Sequence, residues 1–144
     1  MNYMNPTATT INESAVDIDH LKTVLSTAML DFKVDENGKF YVMEDLDFPV
    51  WFAIDTERRL IEFLTYIDTA DFDETQLLDA VNELNRQYII VQFSLSGRRL
   101  VGCHWLPFNG GLSRVHFLKT LRHFSSIFHS AVIAVVEDTK RVVH

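Results

Sequence analysis

The stretch VNELNRQYIIVQFSL, residues 81–95, decides the fold, because in it an amphipathic helix passes almost directly into an alternating strand. The apolar side chains of the helix recur at helical spacing on one face, and they are Leu77, Leu78, Val81 and Leu84. Asp73 is expected to accept the backbone N–H bonds of the first turn, and Gln76 to reach back as in a capping box. The stretch therefore predicts a helix–strand unit on which the other elements pack.

Asn85 lies on the apolar side of this helix, at the predicted last turn. Asn tolerates the left-handed backbone conformation that ends many helices, so the first interpretation is that Asn85 closes the helix. The alternative is a buried hydrogen-bonding role for its side chain.

The strand that follows is expected over residues 89–95, and its alternation directs every second side chain toward a core. Combined with the periodicity of the neighbouring elements, this predicts a core made of Leu77, Val81, Leu84, Ile89, Val91, Phe93, Val101, Trp105, Leu118, Leu121 and Phe128.

The rest of the chain supplies two more helices and four more strands. The strands are expected at residues 39–44, 50–54, 59–67 and 100–106. A first helix should begin near Ser14, with Asp17 placed for a capping box, and its apolar stripe is Ile18, Leu21, Leu25, Met29 and Phe32. A last helix, capped by Ser113, should continue through residues 131–136. The order α-β-β-β-α-β-β-α predicts an α+β fold with a mainly antiparallel five-stranded sheet packed against helices.

Length and composition indicate one soluble domain. The 144 residues are 47% hydrophobic, which suits a single folded core. We expect a flexible N-terminus at 1–12, the domain at 13–138 and a C-terminal tail at 139–144. The longest apolar run, residues 131–136, is too short to span a bilayer, and no signal peptide is recognisable. With one cysteine and hence no internal disulfide, these features favour the cytoplasm.

Charge is distributed unevenly along the chain. Residues 1–83 hold 18 acidic and 5 basic side chains, a net −13, whereas residues 84–144 hold 2 acidic and 8 basic ones, a net +6, which together give −7. The acidic part of the chain disfavours nonspecific nucleic-acid binding and binding to anionic membranes, and no specific nucleic-acid partner or membrane is expected. The asymmetry suits self-association, or packing of one half on the other.

The second face of the predicted strands 39–67 is unusually apolar. Val50, Phe52, Ile54, Ile61, Phe63 and Ile67 form one face, but the opposite face still carries Tyr41, Trp51, Leu60, Leu64 and Tyr66 around the polar Glu62. A sheet with one solvated face would alternate more cleanly. The protein's own helices, a second subunit or a partner should therefore cover this face, and we predict that these five residues form a surface for self-association or partner capture.

Histidine and cysteine residues do not form a recognisable catalytic or metal site. Cys103 and His104 are neighbours on a strand, so their side chains leave opposite faces, and Cys103 is expected to be a buried small hydrophobe beside Val101 and Trp105. On the last helix, His116 and His123 are too far apart to share a zinc ion, and with His129 they are expected on a solvated polar face. A weak anion or nucleic-acid surface is the alternative for that face.

Asn109-Gly110-Gly111 precedes the capped last helix and could hold an anion, with Arg114 nearby. The segment has no Walker lysine and does not fit a dinucleotide fingerprint, so a plain turn is the main interpretation. Anion binding by Gly110, Gly111 and Arg114 is the weaker alternative.

The chain resembles the YbjN-like family, described as candidate bacterial sensory transduction regulators that share the fold of the type III secretion chaperones. The resemblance lies in Asn82-x-x-Asn85, the strands at 89–95 and 100–106, the Gly-Gly-Leu-Ser of residues 110–113 and the apolar helix after it. A departure is the end of the first helix, Leu30-Asp31-Phe32, where a Gly would be expected. The resemblance implies the chaperone-like fold, a homodimer and a non-enzymatic role, and it supplies no ligand or site residues.

The sequence thus predicts a cytoplasmic, non-enzymatic dimer that holds a partner polypeptide, without a metal or cofactor. The alternatives are a small enzyme or anion-binding regulator that uses the Gly110-Gly111 turn, and a nucleic-acid-associated regulator that uses the basic last helix.

Overall fold

The computed structural model describes residues 9–140. Within that range the elements in chain order are β1 Thr10–Ile11, a 3-10 helix Glu13–Ala15, α1 Ile18–Thr27, β2 Phe32–Val34, β3 Phe40–Val42, β4 Val50–Asp55, β5 Leu60–Asp68, α2 Glu74–Gln87, β6 Gln92–Ser96, β7 Arg99–Pro107, β8 Leu112–Ser113 and α3 Arg114–Lys140.

The main sheet has six strands in the order β2-β3-β4-β5-β7-β6, and every neighbouring pair is antiparallel. This confirms the predicted α+β class and the antiparallel sheet. The sixth strand is β2, in a segment that we had assigned to the end of the first helix. A second, small sheet pairs β1 with β8. Thr10–Ile11 therefore form a strand inside the predicted flexible N-terminus, and residues 1–8 and 141–144 of the predicted termini lie outside the described part of the chain. The predicted domain bounds, 13–138, stay a prediction.

Helix α1 begins later than the predicted start near Ser14 and ends before the last residues of its predicted apolar stripe. Asn12 caps the separate 3-10 helix, and Asp17 is itself the N-cap of α1, because its carboxylate accepts the His20 N–H. At the other end Met29 has a φ of 60° and is 84% exposed, so its place in the predicted stripe was wrong. The Met29 N–H donates to Ser26 O, and the Leu30 N–H donates to Leu25 O, which is the bonding of a Schellman motif. Methionine thus occupies the position where glycine is usual.

Helix α2 begins where predicted but ends later. The Asp73 carboxylate accepts the Gln76 N–H, which confirms the cap, whereas Gln76 Oε1 has no hydrogen-bond partner, so the reciprocal half of the capping box is not formed. Asn85 does not close the helix, which continues to Gln87, and its side chain bonds the backbone of Phe93 instead. The alternative interpretation of Asn85 is correct in its hydrogen-bonding role, but the residue is exposed and not buried as that alternative supposed.

Helix α3 confirms two predictions from its sequence. Ser113 Oγ accepts the His116 N–H at its start, and residues 131–136 are helical in spite of their β-branched side chains. No helix within residues 9–140 combines the length and apolarity that crossing a membrane would require.

The hydrophobic core lies on one side of the main sheet. There Phe52 and Phe63 of the central strands contact the α3 residues Phe117 and Phe124, while Phe93 stacks on Phe128. Of the predicted core, Leu77, Val81, Leu84, Val91, Phe93, Leu121 and Phe128 are buried. Leu118 is partly buried against the core.

The predicted core face of β7 was wrong. Leu100, Gly102 and Leu106 face the helices, so Val101, Cys103 and Trp105 lie on the other side of the sheet. Gly102 explains this orientation of β7, because a Cβ at that position would lie 2.5 Å from Cδ1 of Phe128. The glycine therefore lets the α3 ring approach the strand. The assignment of Ile89 to the core was also wrong, since Ile89 precedes the strand and is 94% exposed.

Candidate binding face

The strand register brings the predicted surface residues together on the side of the sheet away from the core. Tyr41 pairs with Trp51, Trp51 with Leu64, and Leu64 with Cys103, and directly paired residues share a face. We call this side the open face, and its apolar and central residues are Tyr41, Trp51, Leu60, Glu62, Leu64, Tyr66, Val101, Cys103 and Trp105. The five predicted residues are therefore neighbours, and their role as a binding surface stays a prediction.

Three aromatic rings on the open face form a continuous ladder across β3, β4 and β5. The ring centroids of Tyr41 and Trp51 are 5.1 Å apart, and Trp51 stacks on Tyr66, also at 5.1 Å, with an interplanar angle of 16°. The Arg99 guanidinium of β7 lies 4.1 Å from the Tyr66 ring centroid, which is a cation–π distance. These contacts hold the rings in place before anything binds.

Asp35 anchors the ladder at the β2–β3 turn. Trp51 Nε1–H donates to Asp35 Oδ2 at 3.0 Å, while the Asn37 and Lys39 N–H groups donate to Asp35 Oδ1. The hydrogen bond from the Lys39 backbone is the main reason that the pKa of Asp35 lies below its usual 3.8. The turn sequence Asp35-Glu36-Asn37-Gly38 therefore also fixes the indole.

The helices of the described chain do not cover the open face. Their apolar side chains pack on the opposite side, and the core formed there, together with the partly buried residues packed on it, includes none of Tyr41, Trp51, Leu60, Leu64 and Tyr66. Trp105 is 38% exposed. A pocket of about 180 Å³ opens on this side next to Trp51, Leu64 and Tyr66. Coverage by the protein's own helices, one of the alternatives left open by the sequence, does not occur within residues 9–140.

Glu62 and Cys103 face each other at the centre of the open face. The Cys103 thiol donates to Glu62 Oε2 at 3.6 Å, and Cys103 is half-buried rather than part of the core as predicted. Burial, and then the negative charge of Glu62, raise the pKa of Cys103 to about 12. The thiol is therefore protonated at neutral pH and is a poor nucleophile.

His104 lies on the opposite side of β7, as expected from its adjacency to Cys103. Its Nδ1 donates to the Ile90 carbonyl oxygen at 3.0 Å, since a carbonyl can only accept. Burial, together with the nearby His116 and His123, lowers the pKa of His104 despite the opposing effect of this hydrogen bond. Cys103 and His104 cannot act as a nucleophile–base pair.

A groove runs from the open face toward the end of α2. Among the residues that the structure describes, Glu62 is the one charged residue in its lining, which also contains Leu64, Asn85, Tyr88, Ile89, Val91, Gln92, Phe93, Ser94, Val101 and Cys103. Most of these side chains are apolar. The groove thus combines an apolar lining with one carboxylate.

The Gly110-Gly111 turn is occupied by other parts of the chain. The Gly110 N–H donates to Glu13 Oε1 at 3.2 Å, so a carboxylate of the protein lies where an added anion would bind. A Cβ on Gly111 would lie 3.0 Å from Thr10 Cγ2 and 3.1 Å from the Ile11 carbonyl oxygen. Arg114 is buried, with its backbone N–H bonded to Thr9 O.

The last-helix histidines remain separate. His129 Nδ1 lies 3.9 Å from Asp47 Oδ2, and its ring lies beside that of Phe48. His116 and His123 are instead close enough to His104 to lower its pKa. Within the described chain, no three His, Cys, Asp or Glu side chains are placed to hold a metal ion.

Sequence reasoning missed Arg99, Val101 and Trp105 as parts of the open face. Both faces of β7 are apolar, so alternation alone could not orient the strand. Gly102 was the available signal, since a glycine inside a strand often marks close approach of another element.

One protein family and two solved structures are similar to this chain. The model of the YbjN family, described as "Putative bacterial sensory transduction regulator", matches residues 17–135. The crystal structure of YbjN from E. coli, described as "a putative transcription regulator", is similar with a TM-score of 0.66 and 14% identity, over 85% of this chain and 93% of that one. The Yersinia pestis type III secretion chaperone SycH, solved in complex with a stable fragment of YscM2, gives a TM-score of 0.49 and 17% identity, over 81% of this chain and 94% of that one. No curated protein matches.

Proposed function

The chain belongs to the YbjN family, and we propose that it is a non-enzymatic binding protein that acts as a homodimer and holds a polypeptide partner on its open face. The observation that carries the proposal is the ladder of Tyr41, Trp51 and Tyr66 on a sheet face that no described helix covers. A cytoplasmic location belongs to the same proposal, since a chain with one cysteine has no internal disulfide, as suits a reducing compartment.

The composition of the open face supports binding. Tyrosine and tryptophan are enriched among the residues that dominate interface energies. Because stacking and the Asp35 bond already hold the Trp51 indole, little side-chain entropy is lost when a partner covers it. Leaving an apolar face of this kind exposed to water is energetically unfavourable.

The geometry of the candidate catalytic groups also supports a non-enzymatic role. The Cys103 thiol is protonated and separated from His104 by the sheet. The Gly110 turn, the candidate anion site, is filled by Glu13. The family description names a regulator, and no observation favours the anion-binding alternative.

The test is the double substitution Trp51→Glu with Leu64→Glu, which places two charges on the open face. We expect the variant to keep its circular dichroism spectrum but to become monomeric by light scattering, or to lose the protein that the wild type retains from an extract of the source organism. The matched control is Leu78→Glu with Ile133→Glu, because both residues are exposed, apolar and on helices. Unfolding of the open-face variant, or unchanged assembly and partner retention, would contradict the proposal.

A further inference from the structure

Resting on the proposed function, we infer that the bound polypeptide segment carries an arginine among apolar side chains, and that this arginine pairs with Glu62 over the Trp105 ring. The inference concerns the chemistry of the partner, and four features of the open face carry it.

The first feature is the position of Glu62. Its half-buried carboxylate lies in the middle of the sheet face, paired in register with Ala53 on one side and Trp105 on the other. Within residues 9–140 it forms no ion pair, and its hydrogen bond is the 3.6 Å contact from the Cys103 thiol. A protonated thiol is a weak donor, so the carboxylate retains most of its capacity to accept.

The second feature is that the other charges on the three central strands of this face already have partners. Of the charged side chains that β4, β5 and β7 direct to the open face, Asp55 accepts the Arg58 N–H, Asp68 accepts the Ala70 N–H, and Arg99 lies on the Tyr66 ring. On these strands of the described chain, Glu62 is therefore the charge that a ligand would find uncompensated.

The third feature is the groove beside Glu62. Its apolar lining includes Leu64, Tyr88 and Val101, and Ile89 at its rim is almost fully exposed. Such a lining accommodates apolar side chains of a polypeptide, and the single carboxylate requires one cation among them. A free small cation would leave the apolar surface uncovered.

The fourth feature selects arginine over lysine. Trp105 is directly opposite Glu62 on the neighbouring strand and is exposed, so a polypeptide lying across the sheet at Glu62 also reaches the indole. A guanidinium can bond a carboxylate through two N–H groups and also stack on an indole, whereas an ammonium is a more strongly hydrated point charge.

A second copy of the chain fits this requirement less well. Its open face would bring another Glu62. Its cations there are Arg99, which already lies on Tyr66, and the lysines Lys33 and Lys39, whose ammonium groups cannot bond a carboxylate through a planar pair of N–H groups while stacking on an indole. Like charges brought together at an interface oppose binding. The occupant next to Glu62 is therefore a different polypeptide.

The experiment selects random peptides displayed on phage against the purified wild-type protein. We expect the selected sequences to share an arginine flanked by apolar residues. A synthetic peptide from this set should bind about tenfold or more weakly to Glu62→Gln, because the charged hydrogen bonds are lost. Replacing its arginine by neutral citrulline should weaken binding to the wild type by a similar factor, and that measurement does not depend on the folding of any variant. Trp105→Leu should reduce the preference for arginine over lysine.

Each contrary outcome has a distinct meaning. Selected peptides without a cation, or binding unaffected by Glu62→Gln and by citrulline, would overturn the inference. Binding of the selected peptides to the Trp51→Glu, Leu64→Glu variant separates a failure of this inference from a failure of the proposed function. If the inference fails but this variant no longer binds the peptides, the proposed function still holds. If the variant still binds them, the proposed function fails as well. Failure to select any peptide would overturn the inference, as would a homodimer that Glu62→Arg dissociates, since the carboxylate would then belong to the contact between copies.

Discussion

The Asn85 side chain forms two hydrogen bonds with the backbone of Phe93: Nδ2 donates to the carbonyl oxygen at 2.9 Å, and Oδ1 accepts the N–H at 2.8 Å. Phe93 lies on β6, at the edge of the main sheet, and the amide uses the backbone groups that point away from β7. One side chain thereby joins α2 to the sheet and occupies an edge position where another strand could add.

We expect Asn85→Ala to destabilise the protein by about 1–3 kcal/mol, because the two backbone groups of Phe93 lose their partners. The matched control is Asn82→Ala on the same helix, which should change stability by less than about 0.5 kcal/mol because the exposed Asn82 side chain forms no hydrogen bond within residues 9–140. Urea unfolding measures both. Equal effects of the two substitutions would show that the Asn85 bonds contribute nothing.

Gly102→Ala should also destabilise the protein, by about 1–3 kcal/mol, because the added methyl group overlaps the buried ring of Phe128. The second substitution Phe128→Leu removes the overlapping ring. In the double variant the two effects should be less than additive, as a double-mutant cycle of thermal unfolding would show. Strict additivity would mean that the ring is not the obstacle.

Met29→Gly should stabilise the protein by about 1 kcal/mol, because Met29 has a φ of 60° and glycine adopts this conformation without steric cost. Little burial is lost, since Met29 is mostly exposed. Thr27→Gly, in the last turn of α1, is the control and should destabilise slightly, by about 0.3 kcal/mol, because threonine is itself a poor helix former. A higher melting temperature for the first variant alone would confirm the Schellman geometry.

Cys103 should react slowly with thiol reagents in the native protein. With a pKa of about 12 against an ordinary 9.0, its thiolate fraction at pH 8 is lower by about three orders of magnitude. Glu62→Gln should lower the midpoint of the pH–rate profile, but not to the value in urea, because burial is the larger cause of the shift. A native rate equal to the rate in urea would contradict the assignment.

Stability should fall as the pH drops below about 6.5, and His104 should contribute to the fall. Its pKa is lowered in the folded protein, so below the ordinary value of 6.5 the unfolded chain binds more protons, and the loss stops growing below the folded pKa. His104→Gln can still donate to the Ile90 carbonyl oxygen and should flatten the profile just below about pH 6.5. NMR titration of the His104 ring gives the folded pKa directly, and a midpoint at or above 6.5 would contradict the prediction.

The local elements could be read from the sequence because their signals involve few neighbouring residues. Asp73 and Ser113 are helix caps within three residues of the N–H groups they bond, and the long stripe of α3 outweighed its β-branched segment. The alternation in β4 and β5 also placed Trp51, Leu64 and Tyr66 on one face, since register between paired strands is strict. Thus the three helices, strands β3 to β7 of the antiparallel sheet and the second apolar face followed from sequence alone, whereas the short strands β1, β2 and β8 did not.

Tertiary structure decided which faces became core and what the polar groups bond. The strand β7 is apolar on both sides, so its orientation depended on Phe128 packing against Gly102, residues far apart in the chain. The role of Asn85 depended on β6 lying beside the end of α2. The hydrogen-bond partner of the Gly110 N–H depended on the position of Glu13 in the fold. Spacing along one segment carries no information about such contacts, because each requires two separate segments to meet.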